Sequence, residues 1–188
     1  PFTPGRGPLD FFRRSNLLPC GENYSRLLPP ARHRDPHPEY FAEINGRRLA
    51  PADGQDSGWQ PCLSNPEVAG LMAGAVLDAF RRNPDLPGHN VSLNDGGRDC
   101  DCAACRAWDT PDAPYARRMS DRYVRFTNLV CERVAREFPG KHIVFLAYGM
   151  TRHPPLTVAP HPRLLPVLTV GNAFRDWDAW MASGPEHM

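Results

Sequence analysis

Proline is the feature that most limits what this chain can fold into, since it makes up 22 of the 188 residues. Each proline fixes its own φ, removes a backbone donor and turns the preceding residue away from helical geometry, so helices and central strands are excluded from much of the chain. With 15 glycines as well, a large part of the chain is expected to be loop.

Two helices are nonetheless legible. One starts at Asn65-Pro66, a cap residue followed by proline at the first helical position, with Glu67 placed favourably for the helix dipole. Val68, Leu71, Met72, Ala75, Val76, Ala79 and Phe80 recur at three-and-four spacing until Asn83-Pro84 stops the helix. The second follows Ser120-Asp121 and carries Tyr123, Phe126, Thr127, Val130, Val134 and Phe138 on its apolar stripe, ending at Pro139-Gly140. Short apolar runs at 90–93, 143–148 and 164–170 read as strands, and Asn45-Gly46 reads as a hairpin turn. Helices alternating with strands predict an α/β fold with βα units and a mostly parallel sheet. Residues 1–36 read as an irregular opening segment.

The length suits one domain with a real core, or a large piece of a bigger one, and falls short of the roughly 250 residues of a complete eight-unit barrel. Lys and Arg number 22 against 21 Asp and Glu, a formal charge of +1, which gives no electrostatic basis for binding nucleic acid. No run of about eighteen apolar residues is present, so no membrane insertion is expected. The single lysine, Lys141, leaves the positive charge almost wholly to arginine.

The densest chemistry lies at 94–105, where Asn94-Asp95-Gly96-Gly97 leads into Cys100-Asp101-Cys102-Ala103-Ala104-Cys105. A loop between a strand and the next helix faces the ligand side in α/β architectures, so Asp95 is a candidate catalytic carboxylate. The alternative is that Asn94 and Asp95 only cap the turn made by the glycines. Three clustered cysteines suit shared ligation of a structural Zn2+ better than spread disulfides, and a tetrahedral shell needs a fourth ligand. Cys20, Cys62, a remote His and an Asp compete for that place, with Cys62 carried forward as the assignment. A local disulfide with one free thiol, or small buried apolar side chains, are the competing readings of the cluster.

Asp121 and Arg122 stand at the start of the second helix and Tyr148 closes an apolar strand; each has a site role and a structural role open to it. Arg98, Trp108 and Asn94 complete the candidate substrate-binding set. His33, His37, His153 and His161 lie in Pro-rich loops, and Trp59, Trp108, Trp177 and Trp180 suit either ring stacking or packing.

Several blocks together resemble a known family. They are His37-Pro38-Glu39-Tyr40-Phe41, Cys62-Leu63-Ser64-Asn65-Pro66-Glu67-Val68, the 92–105 segment, Ser120-Asp121-Arg122-Tyr123 with Phe126 and Asn128, and Leu146-Ala147-Tyr148 before Pro154-Pro155. Over approximately residues 33–175 the chain is similar to an uncharacterised bacterial domain family found in large, often exported proteins and related to glycoside-hydrolase barrels. The resemblance implies a partial or reduced (β/α) TIM-barrel-like domain with long Pro/Gly-rich loops, spanning 37–180, with 181–188 as a tail. It further implies a carbohydrate partner, a role for the remainder of a longer polypeptide, and a secreted or periplasmic full-length protein. On that reading Asp95 is a catalytic residue, and since glycosidic cleavage generally needs two carboxylates, Glu39, Glu43, Asp99 and Asp121 compete for the second place, with Asp121 the assignment. Two noncatalytic or metal-dependent expectations stand beside it: a carbohydrate-binding or structural domain with a cysteine-ligated zinc, and a zinc-dependent hydrolase.

Overall fold

A computed structural model describes residues 21, 23–52, 54–168 and 173–183. The chain order is α1 (Tyr24–Leu27), α2 (Pro30–His33), β1 (Glu43–Ile44), β2 (Arg47–Arg48), α3 (Pro66–Arg82), β3 (Gly88–Asn90), α4 (Ala103–Arg106), α5 (Ser120–Ala135), β4 (His142–Ala147), β5 (Leu164–Leu168) and α6 (Ala173–Ser183).

Helix α3 begins as its sequence dictates: the Asn65 side chain accepts from the Glu67 amide at 2.9 Å and Pro66 occupies the first turn. Val68, Met72, Val76 and Phe80 form its buried stripe. It packs on α5, whose own stripe buries Tyr123, Phe126, Val130 and Val134. Strands β3, β4 and β5 lie side by side in that order, all parallel, with Asn90 opposite Val144 and Phe145 opposite Pro166. Ile143, Val144 and Phe145 are wholly buried, and each such side chain contributes about 1.5–3 kcal/mol by leaving water. The β4–β5 ladder starts from the Ile143 amide to the Arg163 carbonyl at 2.8 Å, so the even-numbered residues of β5 turn their amides away from β4, Pro166 among them.

Strand β3 sits slightly earlier than the apolar run at 90–93 indicates. Val91 still donates to the Val144 carbonyl at 2.9 Å, but the Leu146 amide then bonds to the Ser92 hydroxyl instead of backbone. Ser92 is also held from its other side by Asn23, whose carbonyl oxygen Oδ1 accepts from the Ser92 amide at 3.0 Å. A side chain thereby takes over from the ladder, and the regular strand ends. The β1–β2 hairpin turns through Asn45 (φ 52°) and Gly46 (φ 76°), the positive-φ pair that a tight two-residue turn needs.

One expectation is corrected, and two segments take more regular form than their sequence suggests. The described strands form one two-stranded and one three-stranded sheet, and neither closes into a barrel. The TIM-barrel-like reading is overturned, because three parallel strands in sequence order are a motif shared with open sheets and do not by themselves imply closure. Within the segment expected to be irregular, α1 and α2 form short helices, with Tyr24, Leu27 and Leu28 buried in the core. Helix α6 runs to Ser183, into the expected tail, and is anchored by buried Trp180, whose indole donates to the Arg152 carbonyl at 2.8 Å, and by Asp176 on Arg152 and His153. The apolar residues of 1–20, and Thr169 and Val170 at the end of the last strand-like run, lie outside the described residues.

Candidate metal centre

The four cysteines come from two separated stretches. Cys62 follows an isolated antiparallel bridge between Phe41 and Pro61, and its amide donates to the Tyr40 carbonyl at 2.8 Å. Cys100 lies in the loop beyond β3, Cys102 caps α4, and Cys105 sits within that helix. The hairpin and the loop are stitched together by the Asp101 amide on the Glu43 carbonyl at 2.8 Å, and by the Asn45 amide on the Asp101 carboxylate at 3.0 Å. All four Sγ atoms lie within 4.8 Å of one another, and Cys62 Sγ stands 3.9 Å from Cys102 Sγ and 3.8 Å from Cys105 Sγ. The five described cysteines are all free thiols.

Those separations fit a metal. With Zn–S bonds of about 2.3 Å, the edge of a tetrahedron of sulfurs is about 3.8 Å. A covalent S–S bond is about 2.05 Å, far shorter than either separation. Backbone amides of Glu43 (3.2 Å to Cys100 Sγ), Ser64 (3.4 Å to Cys105 Sγ) and Cys105 (3.5 Å to Cys102 Sγ) point at the sulfurs. Arg48 stands 3.7 Å from Cys100 Sγ. Four thiolates around a divalent ion carry a net charge of −2, and these donors and the guanidinium balance it. Packed this closely, the thiols perturb one another's protonation. Hydrogen bonds from Cys100 and Cys105 hold Cys62 far below the usual thiol range, while those same contacts with Cys100 and Cys62, reinforced by burial, push Cys105 far above it. A divalent cation would favour the thiolate at every position.

Three consecutive residues at the start of α5 secure the surroundings. Both carboxylate oxygens of Asp121 are engaged, Oδ2 by the Leu156 amide at 2.9 Å and Oδ1 by the Thr157 amide at 2.7 Å and the Thr157 hydroxyl. Arg122, 2 % exposed, makes a two-pronged ion pair with Asp109 at 2.7 and 2.5 Å and donates to the Cys100 carbonyl at 2.7 Å. The Tyr123 hydroxyl bonds to Asp99, whose carboxyl is pushed above its usual range by burial.

The other candidates are scattered. Asn94 is buried and bonded through its side chain to the Trp59 carbonyl at 3.1 Å and the Ser25 amide at 3.1 Å. Asp95 is exposed, with the Tyr148 hydroxyl 3.3 Å from its carboxylate. Arg98 is exposed, Tyr148 is half-buried, and Trp108 packs half-buried on the main core. Trp59 and Trp180 are buried and Trp177 is half-buried. His33 and His37 flank Tyr40, His153 pairs with Asp176, and His161 receives the Arg163 amide.

The glycoside-hydrolase reading is therefore corrected. Asp121 spends its oxygens on a loop, and among the described residues neither Asp95 nor Asp121 falls in a cluster of acidic or ligating side chains. The carbohydrate assignment came with the barrel and loses its support with it. A zinc-dependent hydrolase needs an open metal position for water, whereas four sulfurs fill the tetrahedral shell. Sequence reading missed Ser64, Arg48 and Asp109 as supports; the only local signal was Ser64, two residues after Cys62.

A family model described as a domain of unknown function (DUF4838) matches residues 12–171, most of the chain and all four clustered cysteines. No curated protein and no solved structure matches. Kinship with hydrolase barrels is not part of what the match supports.

Proposed function

This chain belongs to the DUF4838 family, and we propose that it serves there as a noncatalytic domain whose loops are organised by a structural zinc ion on Cys62, Cys100, Cys102 and Cys105. The observation that carries this reading is the agreement between the 3.8 and 3.9 Å sulfur separations and the edge of a tetrahedral zinc–sulfur site. The donors pointing at the sulfurs and the balancing arginine support it further.

The ion would join the end of the 41–62 segment to the 100–105 loop, two stretches whose direct apolar contact is slight. Here the cluster is small: Ala42, Ile44, Cys62, Cys100 and Cys105 form a core separate from the main one, too few residues to hold the loops by packing alone. Structural zinc supplies about 10–16 kcal/mol in small peptide sites at neutral pH, enough to offset the ordering entropy of such loops. The domain then presents a rigid surface instead of a reaction centre.

Metal analysis of protein purified under reducing conditions without added zinc tests the proposal. One zinc per chain is expected, lost in Cys62→Ser and Cys105→Ser. Metal-free protein that keeps its thermal stability, iron in place of zinc, or a disulfide among these cysteines by mass spectrometry would overturn it.

A further inference from the structure

We infer that His37, Glu39 and Glu67 form a second divalent-cation site, of nitrogen–oxygen character, beside the cysteine centre and separate from it.

His37 and Glu39 flank Pro38 at the one-turn helix Pro38–Tyr40, and Glu67 lies in the first turn of α3. One ligand atom from each falls within 4.8 Å of the other two. His37 Nδ1 and Glu39 Oε1 are 3.0 Å apart. That contact is itself a hydrogen bond; two ligands at about 2.0–2.2 Å on a tetrahedral ion lie about 3.4 Å apart, so a small opening of the pair lets both atoms share one cation.

The support around these ligands is built, and it comes from one residue. Tyr40, only 5 % exposed, stacks its ring on the His37 imidazole at 4.5 Å and 7°, fixing the ring plane. Its hydroxyl donates to Glu67 Oε2 at 2.6 Å, which orients that carboxylate and leaves Oε1 for an ion. Carboxylates and imidazoles that ligate metals are oriented by such partners. The Tyr40 carbonyl in turn accepts the Cys62 amide, so both centres hang from one backbone segment. An open groove of about 440 Å³ is lined by Glu39 and Glu67 together with Arg48, Ser64, Cys62 and Cys102, so both carboxylates face solvent on the side of the cysteine centre.

The donor set decides the class of ion. Two carboxylates neutralise a divalent charge, and one imidazole with two carboxylates suits zinc or manganese, whereas the four-sulfur centre selects zinc or other thiophilic ions. The two sites are therefore chemically distinguishable.

The experiment uses protein as purified, its metal content measured first and its buffer then freed of loose ions, titrated with Zn2+ by calorimetry. Wild-type protein takes up one further equivalent. His37→Ala and Glu67→Gln weaken that uptake at least about tenfold, the scale on which metal-site groups act, and keep the wild-type starting metal content and melting temperature. Glu67→Gln retains an acceptor for Tyr40, so its loss of uptake reports ligation and not misfolding. No uptake beyond the starting metal, or equal uptake in wild type and both variants, overturns the inference. Protein that starts without metal but gains zinc in a His37-dependent way overturns the cysteine-centre reading and upholds this one.

Discussion

Arg122 donates to the carbonyl oxygen of Cys100 at 2.7 Å, so a helix outside the cysteine loop fixes the backbone of one of its four sulfur-bearing residues. Arg122→Met removes this bond and leaves the Asp109 carboxylate, 14 % exposed, without its partner. Breaking one side of a buried ion pair costs about 3–5 kcal/mol. Urea unfolding is expected to show that loss together with reduced metal retention. Pairing the change with Asp109→Leu should restore much of the stability; if the double variant is as unstable as the single, the ion pair is not the cause.

Asp121 acts as an anchor for the 156–157 loop. Asp121→Asn keeps one acceptor and loses the other, and an unmet buried amide costs about 1–3 kcal/mol. A lowered melting temperature with unchanged metal content is expected. An unchanged melting temperature would remove the anchor role.

Gly97 has φ +80°, and a Cβ there would lie 2.5 Å from the Trp59 amide nitrogen. Both strain and collision oppose Gly97→Ala, which is expected to cost at least about 2 kcal/mol. Chemical denaturation checks this, with Gly140→Ala, which meets nothing within 4 Å, as the mild comparison.

Burial lowers the pKa values of His89 and His142, on neighbouring strands β3 and β4. The unfolded chain then binds more protons than the native one below the unfolded histidine pKa of about 6.5. Stability is present above that value and falls as pH drops below it, continuing until the native histidines also titrate. Thiolate protonation acts in the same direction, so wild type and His142→Gln are compared with metal content monitored. A shallower slope between about pH 7 and 5 is expected in the variant; parallel slopes would acquit His142.

Cys131 lies buried in α5 away from the other thiols, and burial raises its pKa above the usual range. Cys131→Ala should leave metal content unchanged, in contrast to substitution at Cys62. Metal loss on changing Cys131 would break that distinction.

The elements legible in the sequence were those specified by near neighbours. Asn65-Pro66 with the stripe from Val68 to Phe80 locates α3, and Asn45-Gly46 locates the hairpin turn. The cysteine spacing 100, 102, 105 likewise signals ligation by itself. What remained open depended on contacts between distant positions. Cys62 lies 43 residues from Cys105, and no local pattern selects it over Cys20. Asp121 at a helix start reads equally as a dipole partner or a catalyst until the 156–157 loop folds onto it. Barrel closure is a still longer-range property, and parallel strands in sequence order leave it undetermined.

Pro166 stands in β5, the outer strand of the three described, with its nitrogen on the side away from β4. An incoming strand from another chain would meet a missing donor in the middle of that margin and pair poorly there. The proline that limits where this chain can be regular thus also leaves the outer margin of β5 without a donor at its centre, where a fourth strand would otherwise pair.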